Sequence, residues 1–314
     1  MFLKTACLLL FILMICLASG AFAIPVYFSS GIIDGPFEAV KTLDACPFDP
    51  DTPVLEVIAL GIGRGDCYLV RCGGENMLID GGETYRYRFV RNFLEGHGIV
   101  SAVRTGETGV PEGTEVLDYM LLTHAHRDHY QVQAELLRRD YLPKLIYTTH
   151  DMSCVNKLWR EYSRWIEEKQ VPYRCIEHGE ILHVGNAALH VYRWTGPEAD
   201  NRGENNKSAV LRITFGDAAL LLTADLEGYG QRWLIDNFGS ELDVDIGKAP
   251  HHGISQSYPD LLEAMSPSLM IINDTRKSAA SYERQMEKHH IPRLYAVRSI
   301  HMMTDGKIWY VWVE

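Results

Sequence analysis

Short apolar runs of strand length, separated by glycine-rich turns, fill much of the chain, with longer helical patterns between them. Residues 54–60, 67–71 and 77–80 read as three strands. The loop Gly61-Ile62-Gly63-Arg64-Gly65-Asp66 and the turn Gly73-Gly74-Glu75-Asn76 separate them. Residues 85–96 repeat at helical spacing through Tyr87, Val90, Phe93 and Leu94, and Gly96 and Gly98 stop them. The run 116–122 is a strand, 131–140 a helix and 144–148 a strand. Residues 155–169 form an amphipathic helix with Val155, Leu158, Trp159, Tyr162, Trp165 and Ile166 on one stripe. Strands at 173–176, 181–183 and 188–194 lead to a polar loop, 197–207, and to strands 208–215 and 218–224 about a Gly216-Asp217 turn. Helices 228–238, 259–265 and 281–290 then alternate with strands 269–272 and 293–297. A hairpin, 299–313, turns at Thr304-Asp305-Gly306. Residues 99–115, with Gly106, Gly109, Pro111 and Gly113, form a loop longer than the junction needs, the kind that shapes access to a site.

The amino end breaks this pattern. Lys4, an apolar run over 6–18 and the small-x-small triplet Ala21-Phe22-Ala23 read as a signal peptide over 1–23, too short for a comfortable membrane span. The alternative is a retained anchor. The expectation is an exported protein, secreted, periplasmic or on the cell surface, with no membrane span in the mature chain. Residues 24–53 have no clean period and read as an N-terminal surface segment, which leaves 54–314 as one domain. The 314 residues carry a formal charge of −11, which becomes −12 once Lys4 is removed with the leader. Such a surface disfavours a stable nucleic-acid complex. Five cysteines follow the leader: Cys46, Cys67, Cys72, Cys154 and Cys175. They lack metal-ribbon spacing, and Cys154 with Cys175, flanking a helix, is the more plausible disulfide pair.

The candidate chemistry lies in Thr123-His124-Ala125-His126-Arg127-Asp128-His129, directly after an apolar strand. An extended segment sends alternate residues to one side, so His124 and His126 face the same way, while Asp128 and His129 follow as the chain turns into a helix. Imidazole nitrogen and carboxylate oxygen suit zinc, and also manganese or iron. Asp66 reads either as a support for a ligating histidine or as a simple turn residue. Tyr130 reads as helix packing rather than a cleft residue. His150 and His301 are weaker candidates for the site. His183 and His190 read as half-buried strand residues, and His289-His290 as a chance pair at a helix end.

His124-x-His126-x-Asp128-His129 resembles the signature of the metallo-β-lactamase-fold hydrolases. Three further stretches resemble one branch, the ComEC-like hydrolase domains. They are Gly63-Arg64-Gly65-Asp66 with Leu78-Ile79-Asp80-Gly81-Gly82, Asn205-Asn206-Lys207-Ser208 with Leu221-Leu222-Thr223-Ala224-Asp225, and His251-His252-Gly253. The resemblance covers roughly 54–313. It implies an α+β fold, a four-layer αββα sandwich, holding two divalent metal ions, zinc before manganese or iron. His124, His126 and Asn205 or Asn206 would hold one ion, and Asp128, His129 and His252 the other. Asp225 would bridge them, a carboxylate having two oxygens to offer two cations. Asp80, Asp66 and Glu227 would support the ligands. Many relatives place a histidine where this chain has Asn205 and Asn206, which weakens the expected hold on the ion at His124 and His126.

The implied reaction is hydrolysis by a water that the metals acidify to a pKa of about 7. Asp128 would orient the attacking hydroxide; one of His251 and His252, with His252 favoured, would be the ligand, and the other would donate to the substrate or protonate the leaving group. Phosphodiesters, nucleic acid or choline-phosphate-type esters, are the expected substrates, small or polymeric. A β-lactam, lactone or thioester is the alternative. A non-catalytic protein that holds metal is a second alternative, disfavoured because the motif positions other than the asparagine pair are filled.

Overall fold

Many of the strands read as unbroken apolar runs because both of their faces are buried. In the computed structural model, which describes residues 37–40, 46–49, 51–102 and 114–314, these runs form two facing sheets. All of the described residues lie in one unit, Ile33–Glu314. The strands run β1 (Phe37–Ala39), β2 (Leu55–Ala59), β3 (Cys67–Cys72), β4 (Glu75–Asp80), β5 (Ile99–Val100), β6 (Glu115–Val116), β7 (Tyr119–Leu121), β8 (Leu145–Thr148) and β9 (Tyr173–Cys175). They continue with β10 (Ile181–Val184), β11 (Ala187–Tyr192), β12 (Val210–Phe215), β13 (Ala218–Leu222), β14 (Ile246–Lys248), β15 (Leu269–Ile272), β16 (Arg293–Tyr295), β17 (Ile300–Thr304) and β18 (Trp309–Val313). The helices are α1 (Tyr87–Gly96), α2 (Arg127–Arg138), α3 (Lys157–Lys169), α4 (Pro197–Asp200), α5 (Gly228–Phe238), α6 (Pro259–Met265) and α7 (Ala280–Lys288).

One sheet has the order β1-β18-β17-β2-β3-β4-β7-β8-β9, the other β10-β11-β12-β13-β14-β15-β16. Strand alternation divides the core into three layers. Leu55, Val57, Tyr68, Val70, Met77 and Ile79 from the first sheet meet Leu211, Ile213, Leu220, Leu222, Ile246 and Ile271 from the second. The opposite face of the first sheet, Ile58, Leu69 and Leu78, packs on α1, α2 and α3. The opposite face of the second, Val210, Leu221, Met270 and Ile272, packs on α5, α6 and α7. Helix, sheet, sheet and helix are thus stacked in the expected αββα order.

Several boundaries move for local reasons. The helix expected over 131–140 begins at Arg127, so Asp128 and His129 sit in its first turn. The stripe expected from 155 begins at Lys157, because the Asn156 side chain accepts from the Leu158 and Trp159 amides and caps the helix there. Val155 is outside the helix and 79% exposed. Within the expected surface segment, β1 pairs parallel with β18 at the sheet edge. Of the long 99–115 loop, β5 and β6 pair with each other, and 103–113 lie outside the described residues. The leader, 1–23, also lies outside them. The favoured disulfide does not form: Cys154 and Cys175 are free thiols, both lining one cavity, with Cys175 Sγ 4.0 Å from Arg193 Nη1.

Candidate metal centre

Two pairs of neighbouring parallel strands, β4 with β7 and β13 with β14, end at the same edge of the sandwich. Loops at the carboxyl ends of parallel strands are where such sheets place their chemistry. Here those four ends carry Asp80, the 123–129 segment, Asp225, and His251 with His252. The β2–β3 loop adds Asp66. Gly65 lets that loop come close: its φ is +118°, and a β-carbon there would lie 2.8 Å from the Asp128 carbonyl oxygen.

One atom is the hub. Asp225 Oδ2 lies 3.2 Å from His129 Nε2, 3.2 Å from His252 Nε2, 3.6 Å from His251 Nε2 and 3.8 Å from His124 Nε2. His252 Nε2 is also 3.5 Å from Asp128 Oδ2, and His124 Nε2 is 3.2 Å from His126 Nδ1. Two groups of donors share Asp225. Asp128, His129, Asp225 and His252 form one, His124, His126 and Asp225 the other, each with ligand atoms within 4.8 Å of one another. Despite the short approaches, His129 Nε2, His252 Nε2 and Asp225 Oδ1 have no hydrogen-bond partner, and all three residues are buried. Unpartnered buried nitrogens and oxygens are costly. Convergent as they are, their chemistry fits divalent cations of the zinc, manganese or iron class.

Supporting contacts fix the ring orientations. Asp80 accepts from the Thr123 amide (2.9 Å) and hydroxyl (2.7 Å), and its Oδ2 lies 2.8 Å from His129 Nδ1. Asp66 Oδ1 lies 3.1 Å from His252 Nδ1. Glu227 Oε1 lies 3.3 Å from His251 Nδ1 and accepts from Asn205 Nδ2 at 2.7 Å. Such partners set tautomer and basicity of a ligating imidazole. Asp80, Ala224, His251 and His252 adopt left-handed φ values of 56°, 45°, 48° and 57°. Strain of this kind gathers where surrounding structure enforces a site.

Electrostatics follow from burial and pairing. Burial pushes the Asp225 carboxyl up, but the His252 and His129 imidazoles outweigh it and hold it well below the usual carboxylate range. Burial disfavours charge on His252, yet Asp225 and Asp66 lift it to about 10. His129 is raised well above its ordinary value against the same burial, by Asp225 and Asp80. His124 is the opposite case, driven well below its ordinary value by burial and by His129. Asp225 and its His129 and His252 partners thus each favour the other's charged form.

The family model of the metallo-beta-lactamase superfamily matches residues 60–268. The chain belongs to that superfamily. Its members are mostly metal-dependent hydrolases. Two curated relatives are similar to this chain. ComE operon protein 3 of Bacillus subtilis (strain 168) is 27% identical over 271 residues, 81% of this chain and 33% of the relative. Competence protein ComA of Neisseria gonorrhoeae is 28% identical over 112 residues, 35% of this chain and 16% of the relative. The chain therefore matches about a third of the first relative's length. Among solved structures, CmlA, a diiron β-hydroxylase from Streptomyces venezuelae, aligns with a TM-score of 0.48 at 13% identity, over 82% of this chain and 54% of that one. The metallo-beta-lactamase fold protein YhfI from Bacillus subtilis aligns at 0.47 and 13%, over 77% and 96%.

In this member of the metallo-beta-lactamase superfamily the asparagine pair divides its roles. Asn206 Oδ1 accepts from the Gly230 amide and Nδ2 donates to the Arg202 carbonyl, both at 2.8 Å, so Asn206 anchors the start of α5 and is not a free ligand. Asn205 Oδ1 is buried and unpartnered, and is the amide oxygen still to be offered. His150 does not join the donor groups: its Nε2 lies 3.0 Å from Glu204 Oε1, and it lines a cavity of about 530 Å³ with Arg193, Trp194 and Lys207. His301 faces away from the cluster, stacked on Trp312 at 4.8 Å with Nδ1 3.3 Å from Glu56, because its alternate strand position points to the α1 side. His183 is exposed rather than half-buried, while His190 is half-buried as expected. Tyr130 packs in the core and donates to Glu161 at 2.6 Å.

Two residues of the site carry no motif signal. Glu204 Oε1 accepts from the amide of Ala125, between His124 and His126, at 3.0 Å. Lys248, 1% exposed, places Nζ 2.6 Å from Asp66 Oδ2. It ends β14, Ile246–Lys248, all three residues of which are buried.

Proposed function

We propose that this chain is an exported metal-dependent phosphodiesterase. The observation that carries the reading is the sharing of Asp225 Oδ2 by two donor groups, since paired metals suit the attacking and leaving oxygens of an in-line displacement at phosphorus. His124, His126 and Asp225, with Asn205, would hold one ion; Asp128, His129, His252 and Asp225 would hold the other. Bound there, divalent ions supply Lewis acidity that acidifies water and takes up charge developing on the phosphoryl oxygens. Asp128, partly exposed beside His252, accepts a hydrogen bond from the attacking water and orients it. Half-buried His251, its Nδ1 beside Glu227, carries at Nε2 the proton passed to the leaving oxygen. A substrate with a small or flexible ester, nucleotide or choline-phosphate in type, agrees better with a charge of −11 than does a stable complex with long nucleic acid.

The test is turnover of bis(p-nitrophenyl) phosphate by protein loaded with zinc or manganese. Activity that disappears under chelation and in Asp225→Ala is expected. Metal-loaded protein that leaves this ester intact but opens a β-lactam, lactone or thioester refutes the phosphodiester reading.

A further inference from the structure

We propose that Lys248 is the positioning residue of the metal centre: its ammonium turns Asp225 so that Oδ2 alone meets the ligand nitrogens. This inference rests on the metal reading above. A lysine this deeply buried must satisfy three N–H donors and a charge. Its partners are Asp66 Oδ2 at 2.6 Å, the Ala224 carbonyl at 2.5 Å and Asp225 Oδ1 at 3.6 Å. All four imidazoles near Asp225 approach Oδ2, while Oδ1 has no hydrogen-bond partner and faces Lys248. The backbone holds this register. Thr223 Oγ1 donates to the Lys248 carbonyl at 2.8 Å, locking the end of β14 beside the Thr223-Ala224-Asp225 turn. Through Asp66 the same ammonium reaches His252, whose Nδ1 is 3.1 Å from Asp66 Oδ1. One cation thus sets two ligands on different loops.

Removing Lys248 alone would alter both the field at the metals and the geometry. The paired variant Asp66→Asn/Lys248→Met removes one charge of each sign, and the asparagine oxygen still accepts from His252. Zinc affinity is read by competition with a chromogenic chelator, and ligand geometry by the visible spectrum of the cobalt-loaded protein. Affinity about 10–100-fold weaker, with an altered cobalt spectrum, is expected. Lys248→Gln in the same background, which returns an N–H donor, is expected to recover part of the loss. Wild-type affinity with an unchanged spectrum overturns the proposal, as does a loss already complete in Asp66→Asn alone. Circular dichroism checks the fold, and the charge-balanced Asp66→Asn/Lys248→Gln repeats the comparison with wild type should the methionine pair not fold. A wild-type protein that takes up neither zinc nor cobalt is a different result: it overturns the metal reading itself.

Discussion

Replacing Glu204 by glutamine tests how the loop bearing His124 and His126 is held. Its carboxylate accepts from the Ala125 amide at 3.0 Å and from Asn156 Nδ2 at 3.1 Å, and lies 3.0 Å from His150 Nε2. Burial pushes the carboxyl up, but His150, the Ala125 amide and His124 outweigh it and bring it from 4.5 down to about 2. At ~1.4 kcal/mol per unit, that difference is worth about 3 kcal/mol of folding stability. Because the folded value is depressed, the contribution is complete above 4.5 and is lost as pH falls through 2. Glutamine keeps an acceptor but no charge. In urea unfolding with a chelator present, Glu204→Gln should be less stable than wild type by about 3 kcal/mol at pH 7, narrowing to about 1 kcal/mol at pH 3. The comparison is made as a difference between the two curves. A gap that stays constant across this range would show that altered hydrogen-bond geometry, not charge, is responsible. A gap below about 1 kcal/mol at pH 7 would refute the clamp altogether.

Metal titration followed by calorimetry should show two unequal steps, since one donor group holds four residues and the other three; two equal sites would contradict that inequality. Asn206→Ala, which removes the partner of the Gly230 amide, should cost about 1–2 kcal/mol in urea unfolding. It should leave zinc stoichiometry unchanged, and a lost metal equivalent would return Asn206 to the ligand set. Gly65→Ala forces a side chain into a φ of +118° and against the Asp128 carbonyl, so it should destabilise by about 1–3 kcal/mol and weaken metal binding; wild-type behaviour in both would refute the close approach.

How far the sequence reaches depends on how local the physics is. Strands buried on both faces, such as Ala218–Leu222, announce themselves as apolar runs, and every residue of that strand is buried. Helix ends depend on single caps, which is why Asn156 moved one boundary and an uncapped start at Arg127 moved another. The candidate donors were legible for the same reason: His124, His126, Asp128 and His129 are set by the spacing of one strand end and one helical turn. What holds them is not local. Glu204 reaches Ala125 across 79 positions, and Asp80 reaches His129 across 49. The first pair joins loops of different sheets, the second the ends of two neighbouring strands of one sheet. Lys248 goes furthest beyond pattern. Its side chain carries no motif, and its use becomes visible only when Asp66 and Asp225, from two other loops, are found at its ammonium. The motif residues are those that the structure brings together as metal-capable donors. Glu204 and Lys248, which contact the loops that carry them, belong to no motif. A chain that kept the motif and lost either would look intact in sequence, yet would lack a contact that holds its donor loops.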